Sequence, residues 1–361
     1  LELFQSHFQA QEKGGHRSTI GMTYGKSTSK GNVTVSLQVR NNQKVKSADR
    51  VVTRNGLSSN TPSANYTTGG NRRGDFQNSC ANDPSGVVLA NGACRYRYAD
   101  VMDETPDLKQ VSAISNFNYD INSSTSVFGT FLGSYKETDY TMAPGVVRLT
   151  VAGTDAINNL NLPGHTAGDN VDIQWRSTKL GNRLSESKDV TLGGNVGVKR
   201  YIGDTWEASF IAGHSNTTRD NRNPNGYSNL ALLKSDIEAG VINPFNNTGV
   251  VRDELRLQPF QTTESSLTTA EIRATGDIAN GWAGPIGMAV GTGYTYESID
   301  IAIDEQSLQN NVSGGGASNA GSGSRASQFA VAEVAVPLAS KLEMQAAARF
   351  DYFDGFGETV N

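Results

Sequence analysis

Apolar and polar residues alternate with a period of two along most of the chain. Near its C-terminal end one parity carries the apolar side chains Leu342, Met344, Ala346, Ala348, Phe350 and Tyr352. The other parity carries Glu343, Gln345, Ala347, Arg349 and Asp351. The same separation recurs in segments 32–40, 189–199 and 270–278. Side chains of a strand point alternately to its two faces, so these segments predict strands with one apolar and one polar face.

This alternation predicts about ten long strands. They cover residues 17–27, 31–42, 109–121, 124–137, 187–202, 204–219, 262–278, 285–303, 326–338 and 340–354. Short turns join them in pairs, at Ser29–Lys30, Asn122–Ser123, Gly203, Asn280 to Gly284 and Ala339–Ser340. Long segments near 43–108, 138–186, 220–261 and 304–325 connect one pair to the next. Such strands exceed the usual length of about five or six residues, and a compact soluble domain seldom carries even one such loop.

Long strands with short turns at one end and long loops at the other are typical of an antiparallel transmembrane β-barrel. A soluble β-sandwich is the alternative, but its strands are shorter and its loops are modest at both ends. Aromatic residues on the apolar parity also favour a barrel, because aromatic girdles mark the two membrane interfaces. They are Tyr24, Tyr119, Trp206, Tyr294, Tyr296 and Tyr352. We therefore predict an all-β transmembrane barrel.

Composition and charge exclude two further classes of protein. No run of about 18 apolar residues is present, which excludes a membrane-spanning helix. The 31 Lys and Arg residues are scattered among 36 Asp and Glu, which gives a net charge of −5 and excludes a nucleic-acid partner. Leu1 is not followed by the regions of a signal peptide, so we expect a mature chain or a fragment.

The two cysteines, Cys80 and Cys94, lie in a stretch rich in Asn, Asp, Gly and Pro. They could be unrelated free thiols, but exposed thiols in a polar loop would oxidise. We favour a local disulfide in an oxidising compartment, which would stabilise the fold by about 3 kcal/mol in the chain-entropy model.

A hairpin near the end of the chain resembles one found in TonB-dependent outer-membrane receptors. Its residues run from Phe329 to Leu338, with the glutamate Glu333 before the Pro-Leu end, and then from Leu342 to Tyr352 and on to Phe356–Gly357. Cys80 to Cys94, followed by Arg95 to Tyr98, is similar to the short disulfide loop of many members. Tyr227 to Phe245 is similar to their long extracellular insertions.

The resemblance implies a 22-stranded barrel that is plugged by an N-terminal domain and imports a scarce ligand with energy from the inner-membrane TonB complex. We find no plug, TonB-contacting segment or C-terminal strand, so we expect residues 1–361 to be an internal portion of that barrel. The implied location is the bacterial outer membrane. The implied partners are outer-membrane lipid and lipopolysaccharide, the TonB complex through the missing plug, and a small-molecule or oligomeric ligand such as a siderophore, haem, a cobalamin or a saccharide.

Catalytic and metal sites find little support in the residues, so we expect neither an enzyme nor a cofactor. Gly25–Lys26–Ser27 lacks the first glycine of a phosphate loop. His7, His16, His165 and His214 show no pair at metal-ligand spacing. Asp100, Asp103, Glu104 and Asp107 lack the spacing of a calcium loop, so a solvated acidic loop is favoured.

Ligand recognition should therefore rest on the long loops and the barrel lumen. Cationic and aromatic side chains suit anionic, catecholic or glycan ligands, although loop packing or contact with lipopolysaccharide would use the same residues. The candidate ligand-binding residues are Arg72, Arg73, Arg95, Tyr96, Arg97, Tyr98, Trp175 and Arg176. Ser228 to Gly240 predicts a short amphipathic helix over the barrel mouth, and Gly314 to Ser324 a mobile low-complexity loop.

Two functions fit these observations. The first is an outer-membrane receptor and transporter for TonB-energised import. The alternative is a passive porin or surface adhesin that uses the same barrel without energised transport.

Overall fold

A computed structural model describes residues 1–315 and 319–361, except for the side chains of Asn71, Arg72 and Gln77. Twelve strands form one antiparallel sheet in which each strand pairs with its neighbour in sequence. They are β1 (Glu2–Phe8), β2 (Arg17–Thr28), β3 (Gly31–Asn42), β4 (Asp107–Asn122), β5 (Thr125–Met142), β6 (Arg183–Ile202), β7 (Trp206–Asn225), β8 (Phe260–Gly281), β9 (Gly284–Ile303), β10 (Gly321–Ala339), β11 (Leu342–Phe353) and β12 (Gly357–Val360). The prediction of a large antiparallel all-β sheet is confirmed.

The ten predicted strands correspond to β2 through β11, but several extend further from the short turns than predicted. β5 runs to Met142, β6 begins at Arg183 and β7 continues to Asn225. The alternation fades there because both faces are polar, while backbone pairing continues regardless of side-chain polarity. The short edge strands β1 and β12 were missed, since seven and four residues carry too little alternation to be recognised.

Register places the two parities on opposite faces of the sheet. Directly opposite one another on β2 to β6 lie Ile20, Val39, Val111, Tyr135 and Val190. These five side chains are 39–57% exposed. We call this side the apolar face. The other side, which we call the charged face, carries such residues as Lys136, Asp189 and Arg219.

The buried hydrophobic core lies in the long connections and not against the sheet. We call residues 43–106, 143–182, 226–259, 304–315 and 319–320 the loop layer. Its main core cluster draws on the first three connections and consists of Ala64, Tyr66, Val147, Val151, Ile157, Leu162, Val171, Ile173, Trp175, Leu233, Ile237, Ile242, Phe245 and Leu255. The long loops are therefore packed together.

Short elements build this layer. The three α-helices are α1 (Asp155–Asn158), α2 (Leu230–Glu238) and α3 (Glu305–Leu308). The strands are Val45–Lys46, Leu57–Ser58, Asn65–Thr68, Asn71–Arg73, Gly86–Val88, Cys94–Arg97, Asp103–Thr105, Val146–Val151, Val171–Arg176, Tyr227–Asn229, Ile242–Asn243, Thr248–Gly249, Arg256–Leu257 and Val312–Ser313. Short 3-10 helices span Ser47–Asp49, Phe76–Asn82, Tyr98–Asp100, Thr178–Leu180 and Asp253–Leu255.

The helix predicted within 228–240 is confirmed as α2. The Asn229 side chain caps it by accepting a hydrogen bond from the backbone N–H of Leu232 at 3.0 Å. Leu233 and Ile237, four residues apart on one helical face, are buried in the core of the loop layer. Its position over a barrel mouth stays a prediction.

The fourth connection joins the layer through hydrogen bonds. The N–H of Leu230 donates to the carbonyl of Asn311 at 2.9 Å, and Ser228 pairs with Ser313. The prediction of a mobile loop over 314–324 is wrong for Gly321 to Ser324, which begin β10. Those small residues alternate too weakly to reveal the strand, although their backbone pairs with β9. Residues 316–318 of that prediction lie outside the described part.

Among the described residues, no α-helix has the length and apolar character needed to cross a membrane.

Candidate functional site

The Arg95 to Tyr98 segment is divided between the inside and the outside of the loop layer. The strand Cys94–Arg97 pairs with Leu57–Ser58 on one side and with Gly86–Val88 on the other. Its alternation buries Cys94 and Tyr96 and turns Arg95 and Arg97 outward. The neighbouring candidates from sequence thus have two different environments.

Tyr96 stacks beneath a buried arginine. The Arg176 guanidinium carbon lies 4.7 Å from the centre of the Tyr96 ring. Arg176 also donates to the carbonyls of Pro144 at 2.7 Å and Asn60 at 3.1 Å, and to the Ser58 hydroxyl at 3.0 Å. Four separate points of the first two long loops therefore meet at one guanidinium.

Burial changes the titration of this pair. Desolvation lowers the pKa of Arg176 from its ordinary 12.5 to about 10, and the neighbouring Tyr96 only partly offsets this. Desolvation also raises the pKa of Tyr96, against the opposing effect of Arg176. Both groups keep their ordinary neutral-pH charge, and the cation is held by carbonyl dipoles and an aromatic face.

Trp175 is fully buried in the loop-layer core. Its indole Nε1 donates to the carbonyl of Pro62 at 2.7 Å, which links two loops. Tyr96 and Arg176 are buried as well. The sequence assigned these three side chains to a ligand, but in this structure they are inaccessible and hold loops together. The same aromatic and cationic chemistry serves packing.

Four of the five remaining candidates are accessible. Arg73 and Arg97 are exposed, and Arg95 and Tyr98 are half-buried. Arg97 forms an ion pair with Asp100 at 3.9 Å, and Arg95 donates to the Cys94 carbonyl at 2.7 Å. The strand that contains Arg72 pairs with Asn65–Thr68, but the Arg72 side chain lies outside the described part.

Close packing around glycines fixes two of these side chains. The Tyr98 ring lies against Gly56, where an added Cβ would stand 2.5 Å from Cζ. The Arg73 guanidinium lies against Gly164, where an added Cβ would stand 2.7 Å from Nη2. Arg73 therefore contacts the second loop although it begins in the first.

Cys80 and Cys94 form the predicted disulfide, with Cα atoms 5.9 Å apart. The Asp75 carboxylate accepts a hydrogen bond from the Cys80 N–H at 2.7 Å. Asp75 and the two sulfur atoms are the one group of three possible metal ligands in the described ranges. The sulfurs are consumed by the disulfide, so this group does not offer thiolates to a metal.

The acidic segment 100–107 is more ordered than a solvated loop. Asp103 is fully buried, accepts from the Thr141 N–H at 2.8 Å and lies 3.9 Å from the Lys44 ammonium. Glu104 accepts from the Ser47 hydroxyl at 2.8 Å, and Asp107 accepts from the Lys44 N–H at 2.8 Å. The prediction of a solvated loop is wrong for Asp103, which anchors the first loop to β5, whereas Asp100 and Glu104 are exposed as expected.

A cationic cluster lies on the charged face, and no sequence motif marks it. The Lys136 ammonium is 2.5 Å from Asp189 Oδ2. Arg219 reaches the same carboxylate through Nε at 2.6 Å and Nη2 at 3.3 Å. We call Lys136, Asp189 and Arg219 the lumen cluster, because the charged face would line the interior of a closed barrel.

A cavity of about 580 Å³ lies beside strands β7 to β10, and its wall comes within two residues of Arg219 along β7. Thr217, two residues from Arg219 on the same face, contributes to its wall together with Ser265. Leu267 and Ile299 give it an apolar surface, and Arg325, which pairs with Glu297, lies at another side. Strand pairing brings these residues together, so no spacing along the sequence could have revealed them.

Three solved structures that are similar to this chain are receptors. The ferric enterobactin receptor of Pseudomonas aeruginosa aligns with a TM-score of 0.50 and 11% identity over 99% of this chain and 40% of that receptor. The siderophore receptor of Acinetobacter baumannii gives 0.44 and 11% over 99% of this chain and 44% of that one. The ferric-catecholate import receptor of E. coli gives 0.42 and 12% over 97% and 49%.

No family model matches the sequence, and no curated protein matches it. The chain spans about two fifths of the length of the Pseudomonas receptor, and that likeness shows the fold. The predicted all-β fold, a large antiparallel sheet similar to part of that receptor, is thereby confirmed.

Proposed function

We propose that this chain is part of an outer-membrane receptor that imports a scarce ligand with energy from the TonB complex. The observation that carries the proposal is the exposed apolar face of the twelve-stranded sheet. In water, contiguous apolar patches rarely exceed a few hundred Å². A face of this extent, on strands of up to 22 residues, is suited to the hydrocarbon of a bilayer.

The two sheet edges support a larger barrel. β1 pairs only with β2, and β12 only with β11, within the described sheet. Open edges in lipid leave backbone groups without partners, which costs several kcal/mol for each group. We propose that further strands close the sheet into a barrel of about 22 strands, with the apolar face toward lipid and lipopolysaccharide.

The charged face and the loop layer suit a selective receptor better than an open pore. Polar residues facing the lumen offer contacts for a plug domain and for a ligand. The packed loop layer can present a preformed ligand surface, for which Arg73, Arg95, Arg97 and Tyr98 are the accessible candidates. Trp175, Tyr96 and Arg176 would act by fixing that surface from beneath. The proposed role is transport without catalysis.

Uptake by cells that express the full-length gene tests the proposal. The host would lack its own receptors, and labelled ferric enterobactin, haem, cobalamin and an oligosaccharide would be offered in turn. We expect accumulation of one ligand class, and loss of that accumulation when TonB is deleted. Undiminished accumulation without TonB would instead indicate a passive porin, and surface binding without accumulation would indicate an adhesin.

A further inference from the structure

The lumen cluster carries an excess positive charge. Lys136 and Arg219 share the single carboxylate of Asp189, which leaves a net charge of +1. The Asp189 residue is only 8% exposed, whereas the Arg219 side chain remains 58% exposed. A buried carboxylate between two cations fixes their positions, and it leaves part of their charge for another anion.

Arg219 keeps donors for that anion. Its Nε and Nη2 bind Asp189, and no hydrogen bond from its Nη1 is found within 1–315 and 319–361. A guanidinium presents five N–H donors in a planar fork that matches carboxylate and phosphate oxygens. In the same register row Arg40 lies two strands from Lys136, across Gln110, and four strands from Arg219, so it adds a second positive charge to this level of the wall.

The nearby cavity is more apolar than the lumen cluster. Leu267 and Ile299 are 41% and 46% exposed on the charged face, and Phe356 completes the apolar part of the lining. The charge of Arg325 is already matched by Glu297, and its guanidinium lies 5.7 Å from the Phe356 ring. The cavity itself therefore has no unmatched charge, and its volume of about 580 Å³ is in the range for small molecules.

We infer that this wall binds an amphiphilic anion, with its anionic group at Arg219 and Lys136 and its aromatic or hydrocarbon part against Leu267 and Ile299. Hydroxyl groups of Thr217 and Ser265 lie between the two regions and can hydrogen-bond the polar part of the ligand. This deepens the proposed function, on which it rests, by naming the ligand class. A neutral saccharide would leave the excess charge unused, and a small inorganic anion would leave the apolar surface uncovered.

Calorimetry on the purified full-length receptor in lipid nanodiscs tests the inference with matched probes. Naphthoate and naphthamide share their ring and differ in charge, while acetate has the charge without the ring. We expect naphthoate to bind at least about tenfold more tightly than either, since one charge-assisted contact is worth about a factor of ten or more. Arg219→Gln should remove this preference.

Arg273→Gln is the matched control, because Arg273 lies on the same face and is paired with Glu271 away from the cavity lining. It should keep the preference for naphthoate. Lys136→Gln gives a second test if Arg219→Gln fails to fold, and Leu267→Ser should weaken naphthoate without affecting acetate. Equal binding of naphthoate and naphthamide, or equal losses in Arg273→Gln and Arg219→Gln, would overturn the inference.

The two proposals fail differently. If TonB-dependent uptake is observed but the receptor binds naphthoate no more tightly than naphthamide, only the inferred ligand class is wrong. If naphthoate binds as expected but uptake continues without TonB, the proposed energised transport is wrong while the anion site stands.

Discussion

Replacement of Trp175 by alanine should open the loop layer as a unit. The side chain is fully buried among residues from three different connections, and its indole N–H bonds to Pro62 in the first of them. If the loops share one core, a cavity at Trp175 weakens all of them. If they were independent, the damage would stay within 143–182.

The expected size follows from burial. Truncation of a buried Trp costs about 3–5 kcal/mol, and the unpaired Pro62 carbonyl adds about 1–3 kcal/mol. Even 3 kcal/mol raises the open population of the layer about a hundredfold. Local unfolding units in proteins are less stable than the whole, so the loop layer should exchange while the sheet remains protected.

Hydrogen exchange of the full-length receptor, followed by mass spectrometry, measures this opening. We expect amides of Asn65–Thr68, Val146–Val151 and Leu230–Glu238 to lose protection by a similar factor in Trp175→Ala. Trp282→Ala is the matched control, since that side chain is 81% exposed in a short turn. Loss of protection confined to 143–182 would refute the shared core.

Three further predictions test other parts of the structure. Replacement of Cys80 and Cys94 by alanine should destabilise the loop layer by about 3 kcal/mol, measured by protease susceptibility, with an unchanged susceptibility as the contrary result. Ile272→Arg, on the apolar face, should reduce barrel stability by about 2–4 kcal/mol in a lipid refolding assay. Thr269→Arg, on the charged face, is the control and should have a smaller effect. Equal effects of the two substitutions would contradict the assignment of the faces. Burial raises the pKa of Tyr227 above its ordinary 10. The contribution of Tyr227 to stability is therefore complete below pH 10 and is lost as the pH rises through the pKa of the folded state. In an ultraviolet titration Tyr227→Phe should lose one late-titrating phenol, and a titration unchanged from that of the original protein would contradict this.

The loop layer shows where residue chemistry alone leaves two roles open. Arg176 and Trp175 have the side chains of a ligand site, and the same groups are suited to a buried hydrogen-bonded contact between loops. The choice depends on partners far away in sequence: the Ser63 hydroxyl, for example, donates to the Phe245 carbonyl across 182 positions. No local pattern contains that information.

Alternation along the chain was enough to assign the faces of the sheet and the order of its long strands. This was possible because side chains alternate with a fixed period of two, and because lipid and water impose opposite polarity on the two faces. Alternation could not show which loops share a core or which charges meet on the wall, because both depend on long-range contacts. Lys136, Asp189 and Arg219 are neighbours only through the register of three strands, and register depends on the pairing of whole strands.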